Sequence, residues 1–295
     1  MKVLAPAKLN LVLHILPKKP GEKLHQIRAI NCQLTLFDEI TLINQPQKLE
    51  IDCRFDKVCR CEKKEFCRGQ KNLILQAAEL LKGTYGKPHL GVKISVVKKI
   101  PPGSGLAGGS SDAAAVLKAL TSLWQLKVSE KQLQALGASL GSDVNYCLRG
   151  GLCEVGGFGE KVKKLPYKLP KLSVVVVIPE MEKPSTAWAY HQLDKTDKFA
   201  ELFESLKLLK QAIKEQDVVT LCQNLVNDFE PLMTKKYAVI REIKQKLLKY
   251  GARAAILAGS GLAMVGFFKS PAEAKNASQN LEREFKKVYL TQILC

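Results

Sequence analysis

The chain has 295 residues, 46% of them hydrophobic and 25% charged, which is enough to bury a sizeable core in one large or two modest domains. Lys and Arg outnumber Asp and Glu by 46 to 28, a formal charge of +18, and such a field favours anionic partners: nucleic acid, an acidic membrane surface or phosphorylated metabolites. No stretch approaches the roughly 18 uninterrupted apolar residues of a membrane span, and 6% aromatic content argues against a stacking platform for single strands.

The first residues, MKVLAPAKLNLVLHIL, are apolar but interrupted by Lys8, Asn10 and His14, and no small-residue cleavage site follows. They predict a strand rather than a signal peptide, and a cytoplasmic protein is expected. Alternation at Leu9, Leu11 and Leu13, and again at Val92, Ile94 and Val96, predicts half-buried strands. Nine cysteines in a chain without a secretion signal are expected to be reduced thiols. Cys53, Cys59, Cys61 and Cys67 lie in the basic segment IDCRFDKVCRCEKKEFC. They lack the paired C-x2-4-C knuckles of a zinc site, so free cysteines in a loop are expected and no metal ligand is assigned.

Leu73, Ala77, Leu80 and Leu81 predict a helix over 72–81, and Val116, Leu117, Leu120, Leu123 and Trp124 fall on one face of a second. Ser129 offers an N-cap for a third helix to about Ser139, and SVVVVI at 173–178 reads as a buried strand. LPYKLP at 165–170 supplies the expected boundary between domains 1–168 and 169–295. Helices near 199–215 and 237–250, strands near 254–258 and 264–268, and a last helix over about 271–287 complete an α/β (α+β) chain without repeats.

Between the second predicted strand and its helix lies Pro101-Pro102-Gly103-Ser104-Gly105-Leu106-Ala107-Gly108-Gly109-Ser110-Ser111. Glycines let a backbone approach an anion, and the following helix aims free N–H groups and its positive dipole end at it, so phosphate is the natural guest. No Gly-Lys-Ser/Thr closes the loop, so it is not a Walker loop, and the literal G-x-G-x-x-G at Gly103, Gly105 and Gly108 is weak by itself. Ser110 and Ser111 can cap the helix, bind phosphate or help hold magnesium.

PPGSGLAGGSSDAAA resembles the second motif of the GHMP kinase superfamily, APAKLNLVLHI at 5–15 resembles its first, and LAGSGLAMVGF at 257–267 its third. GSDVNYCLRGG at 141–151, FGEKV and PSTAWAYHQLD at 184–194 resemble the branch that phosphorylates the 2-hydroxyl of a cytidine diphosphate-linked methylerythritol. The resemblance spans the chain. It implies a two-domain GHMP-kinase-like architecture with the active site between the domains. It also implies ATP and Mg2+, a small-molecule substrate, and no nucleic-acid or membrane partner.

Carried over by position, Asp143 is the expected base for the attacking hydroxyl, with Lys8 beside it. An ammonium keeps a neighbouring carboxylate charged, and phosphoryl transfer needs an oriented nucleophile amid positive charge. Read alone, Asp143 could cap a helix after Gly141-Ser142, and Lys8 could be a surface lysine. The resemblance further places Asn72 and Lys98 at the adenine, although Asn72 is equally an N-cap and Lys98 an exposed strand residue. It places Asn10 toward the methylerythritol, His25 at the cytosine edge and Tyr190 on the cytosine face.

Three departures stand out. Lys23-Leu24-His25 replaces the usual Gly-Tyr-His, removing one aromatic partner of cytosine. Ala107 replaces a common glycine, an exchange expected to be tolerated where φ is negative. Leu262 stands where proline is frequent, with no derivable consequence. The rivals are a superfamily member acting on a mevalonate-like acid, which would want a cationic clamp for its carboxylate, and a non-catalytic nucleotide- or nucleic-acid-binding protein.

Overall fold

The computed structural model describes residues 1–59, 72–85, 89–181, 185–195 and 204–294. In chain order, β1 (Lys2–Ile15), β2 (Ile27–Pro46) and β3 (Leu49–Phe55) precede α1 (Leu73–Thr84), β4 (Leu90–Lys98), α2 (Gly108–Leu123), α3 (Glu130–Leu140) and α4 (Val144–Arg149). Next come β5 (Cys153–Gly157), β6 (Lys161–Lys164), β7 (Ser173–Ile178), α5 (Thr186–Leu193), α6 (Glu204–Glu215), α7 (Val218–Gln223) and β8 (Val226–Asn227). The chain continues through α8 (Glu230–Lys236), α9 (Ala238–Lys249), β9 (Ala254–Leu257), β10 (Met264–Phe268), α10 (Pro271–Leu281) and β11 (Lys287–Leu294).

Among the described residues the strands form one sheet along the path β3-β4-β2-β11-β7-β10-β9, with β1 and the β5–β6 hairpin also laid on β2. The expected boundary near 168 falls between β6 and β7, but the sheet runs on through β11. That strand pairs with β2 at Ile293↔Leu34 and with β7 from Lys287↔Ile178 onward. Ala77 and Leu81 of α1 and Ala113, Leu117 and Leu120 of α2 bury against Ile40, Leu42, Val92, Ile94 and Val96. Each large side chain so buried contributes about 1.5–3 kcal/mol. Ile240, Ile243 and Leu247 of α9 and Ala274, Ala277 and Leu281 of α10 cover Val175, Val177 and Met264 in the same way.

Local chemistry accounts for several helix starts. Asn72 caps α1 by accepting from the Ile74 N–H, and Ser129 with Gln132 forms a capping box on α3. Three expectations require correction. β1 is not half-buried: every residue from Ala7 to Ile15 is buried, because Lys8, Asn10 and His14 face other protein groups rather than water. The last helix ends at Leu281, not near 287, and β11 follows. Phe285 N–H still bonds the Leu281 carbonyl, so a non-helical turn keeps a helical i, i+4 apolar spacing.

The third correction concerns the thiols, since Cys53 is disulfide-bonded, and Cys59 is buried in the core rather than exposed on a loop. Sulfur pairing is set by the distance between two side chains, which spacing and compartment arguments do not supply. Cys61, Cys67 and the first residues of the helix expected near 199 lie outside the described residues.

Candidate active site

The three glycine-bearing or lysine-bearing segments singled out in the sequence meet around one cavity of about 790 Å³. β1 enters it between two register shifts against β2, at Pro6/Lys8 and Asn10/Val12. Such bulges re-aim side chains, and Lys8 and Asn10, two residues apart on one strand face, both line the cavity. The Lys8 N–H donates to the Leu106 carbonyl (2.9 Å), and Ser111 Oγ donates to the Pro6 carbonyl (2.7 Å), so β1 is fastened to the glycine loop at both ends of the turn.

The loop is built by main-chain contact with the segment after β9. A Cβ on Gly105, at φ +92°, would lie 1.9 Å from the Ala258 carbonyl oxygen, and one on Gly261 would lie 2.1 Å from the Ser104 oxygen. Ala263 N–H donates to that same Ser104 oxygen (3.2 Å). No side chain fits between these backbones, which is why glycine stands at both positions. α2 begins inside the loop, so Gly108, Gly109 and Ser110 are its first turn and present free N–H groups to the cavity.

Two expectations about this loop change. Ala107 adopts φ +55°, ψ 31° as the residue preceding α2, not the negative φ under which its exchange for glycine is harmless, because the chain reverses there to enter the helix. Leu106 and Ser111 do not line the cavity: Leu106 is in the core, and the Ser111 hydroxyl is spent on Pro6. Pro101, Pro102, Gly103, Ser104, Gly105, Ala107, Gly108, Gly109 and Ser110 all do.

Opposite the loop, Lys8 Nζ lies 3.1 Å from Asp143 Oδ1. The Lys8 side chain is 5% exposed and that of Asp143 40%, so the ammonium is fixed from behind while the carboxylate opens into the cavity. Asp143 precedes α4 but makes no side-chain cap, and its position is defined by the lysine. Lys8 Nζ also donates to Asn10 Oδ1 (2.9 Å), and Asn10 Nδ2 donates to Asn31 Oδ1 (2.7 Å), the side chain directly across the β1–β2 ladder. This chain of polar groups gives a buried ammonium its required partners. Asn31 was not legible in the sequence, where it sits in β2 without a motif.

At the loop's far end, Asn72 and Lys98 line the cavity. Lys98 is not an exposed strand residue: it is 6% exposed, and its ammonium donates to Asp38 and Asp112. Asp38 also accepts the Ile100 N–H (2.8 Å), whereas Asp112 Oδ1 is buried without a hydrogen-bond partner. Burial pushes the Asp112 carboxyl up to about 8, against the pull of Lys98. Asp112 follows Ser110-Ser111 in the motif, so its place was readable, but its pairing was not.

The remaining wall carries His25 and Tyr190, whose rings stack with centroids 5.4 Å apart at 18°. Phe229 supports Tyr190 edge-on at 5.0 Å. His25 is 5% exposed and both its ring nitrogens are engaged, Nδ1 with the Leu16 carbonyl (2.7 Å) and Nε2 with Asp194 Oδ1 (2.8 Å). A hydrogen bond from Lys18 leads the causes that hold Asp194 below the usual carboxylate range. Leu24, 62% exposed, also faces the cavity. Asp194 and Gly259, which lie inside quoted motifs without being singled out there, also line the cavity, as does Phe229, which falls in no motif. Among the described residues no helix is long and apolar enough to cross a membrane.

The GHMP kinases N terminal domain family matches residues 72–151, and the GHMP kinases C terminal family matches 209–287. The 4-diphosphocytidyl-2-C-methyl-D-erythritol kinase of Acetivibrio thermocellus is 34% identical over 98% of both chains. The enzyme of that name from Alkaliphilus metalliredigens is 36% identical over 97% of this chain and 94% of its own. A crystal structure of 4-(cytidine 5'-diphospho)-2C-methyl-D-erythritol kinase superposes with a TM-score of 0.79 at 29% identity, covering 99% of each chain. A homoserine kinase from Cytophaga hutchinsonii, at 20% identity and a TM-score of 0.73, shares the fold. With three motifs converging on one cavity and full-length relatives above 30% identity, the chain belongs to the 4-diphosphocytidyl-2-C-methyl-D-erythritol kinase family of ATP-dependent GHMP kinases.

Proposed function

We propose that this protein transfers the γ-phosphoryl group of ATP to the 2-hydroxyl of 4-diphosphocytidyl-2-C-methyl-D-erythritol, releasing ADP, as a cytoplasmic step of non-mevalonate isoprenoid precursor synthesis. The observation that carries the reading is the buried Lys8 ammonium 3.1 Å from the cavity-facing Asp143 carboxylate, in the same cavity as the main-chain glycine loop. Asp143 accepts the hydroxyl proton as the oxygen attacks phosphorus, and Lys8 holds that carboxylate in place and adds positive charge beside the transferring group. The N–H groups at the start of α2 take the ATP phosphates, with Asn72 and Lys98 at the adenine end.

Magnesium, a hard cation with oxygen preference, would offset phosphate charge when bound, and the Ser110 hydroxyl at the cavity wall would offer it an oxygen ligand. On the substrate side, Asn10 faces the methylerythritol, and the stacked His25–Tyr190 pair forms the cytosine wall. The 5.4 Å ring separation leaves no room for a base between the two, so cytosine lies against the pair rather than inside it. We take 1–168 and 169–295 as the two domains, meeting along the cavity.

The test is a substrate panel. Phosphorylation of the cytidylated methylerythritol with a kcat/KM at least about 100-fold above that for uncytidylated methylerythritol phosphate or mevalonate is expected, because binding energy of the remote base is realised at the reacting hydroxyl. Comparable values across the panel would overturn the cytosine assignment.

A further inference from the structure

A second cavity, of about 640 Å³, lies outside the active site and is lined by groups that the phosphoryl transfer does not use. Arg28 of β2, Lys163 of β6, and Lys207, Lys210 and Lys214 of α6 converge on it, five cations from three elements. Among the described lining residues the single carboxylate is Glu154, and it is already held by Lys210 Nζ at 2.7 Å. Lys163, Lys207 and Lys214 have no ion-pair partner among the described residues.

The clustering costs stability. Lys207 and Lys210 are three apart and Lys210 and Lys214 four apart, spacings at which like charges destabilise a helix. Their long stems lie over a floor made by Leu165 and Leu206, both buried, beside Pro166 and the half-exposed Tyr167 ring. A groove that gathers cations over an apolar floor, with the one carboxylate among its described lining residues neutralised, fits an anion of small size and high charge density. The five cations surround a cavity of about 640 Å³, a volume suited to a compact anion rather than to a long nucleic-acid strand.

We propose that this groove is a second anion site that binds a small oligophosphate, separate from the ATP phosphates. β2 places it on the reverse face of the sheet: Ile27 lines the active-site cavity, and the next residue, Arg28, points the opposite way into the groove. The β5–β6 hairpin joins the two, since Glu154 and Lys163 line the groove while Phe158 at its turn lines the active site.

The proposal goes beyond the kinase reading and is tested independently of it. The full chain is saturated with a non-hydrolysable ATP analogue, which fills the glycine loop, and titrated calorimetrically with inorganic tripolyphosphate. One further binding event with a Kd below about 1 mM is expected. It should weaken at least about tenfold in Lys207→Gln/Lys214→Gln, and again when salt rises from about 0.05 to about 0.5 M. Both lysines are exposed and outside the catalytic machinery, so the variant should keep its kinase turnover, and Arg28→Gln provides a second disruption from a strand. No second event, or one indifferent to all three substitutions, overturns the proposal. Tighter binding of a single-stranded oligonucleotide than of tripolyphosphate would reassign the groove to nucleic acid.

Discussion

The two ends of the active-site cavity are made of different material. The phosphate end is main chain: Gly105 against Ala258, Ser104 against Gly261, and Lys8 N–H on Leu106 bring three segments together with scarcely a side chain between them. The base end is side chain: His25 on Tyr190, Tyr190 on Phe229, and Asp194 shared by His25 and Lys18. A main-chain site constrains residue type strictly, because only glycine fits, and tolerates no change of shape. A side-chain site can be rebuilt from substitute groups, which is how Leu24 stands where an aromatic is usual and still faces the cavity.

The largest effect expected lies between the two ends. Asp143→Asn should lower kcat by roughly 10² to 10⁴-fold, the range for loss of a general base, while calorimetric ATP affinity stays within about twofold. Near wild-type turnover would remove Asp143 from the chemistry and leave the contrast without a reacting centre.

Within the main-chain end, Gly105→Ala should be severe. Its Cβ would sit 1.9 Å from the Ala258 oxygen at a φ of +92°, so either the melting temperature falls by more than about 5 °C or ATP affinity drops at least about tenfold. Gly109→Ala is the control, since its Cβ would meet Leu73 Cδ1 at an ordinary 3.7 Å. Equal tolerance of both would show that the loop does not depend on backbone contact.

Beneath that end, the Asp112–Lys98–Asp38 cluster makes stability depend on pH. The folded-state Asp112 carboxyl titrates at about 8, above the ordinary 3.8, with desolvation as the main cause. The contribution of this group to stability is therefore fully present below about pH 4 and is lost as pH rises through about 8. Asp112→Asn removes this dependence: melting temperatures should converge near pH 4, and the variant should exceed wild type by roughly 5 °C at pH 8.5. Parallel melting profiles of the two proteins would show that Asp112 is ionised in the folded state.

The side-chain end should respond most gently. Tyr190→Ala is expected to raise the KM for the cytidylated substrate about 2–12-fold, the equivalent of one aromatic contact of about 0.5–1.5 kcal/mol, with little change in kcat. Leu24→Tyr should lower the same KM. An unchanged KM in both variants would place cytosine elsewhere in the cavity.

Sequence by itself determined the parts whose physics is local. β-branched density predicted β7, caps and apolar faces predicted α1, α2 and α3, and the glycine loop declared an anion site because its residue types admit few other uses. The match of motifs also marked Lys8 and Asp143 as a pair. Tertiary structure alone decided what depends on distance across the chain: that β1 is buried on both faces, that β11 joins the two halves of the sheet, and that Ala107 takes a positive φ. It also decided which polar groups meet. Asn31 meets Asn10 because β1 and β2 are in register, and Asp38 meets Lys98 from sixty residues away because β2 lies beside β4. Residue type fixes what a group can do, whereas its partner, its burial and hence its charge state are properties of the packed neighbourhood.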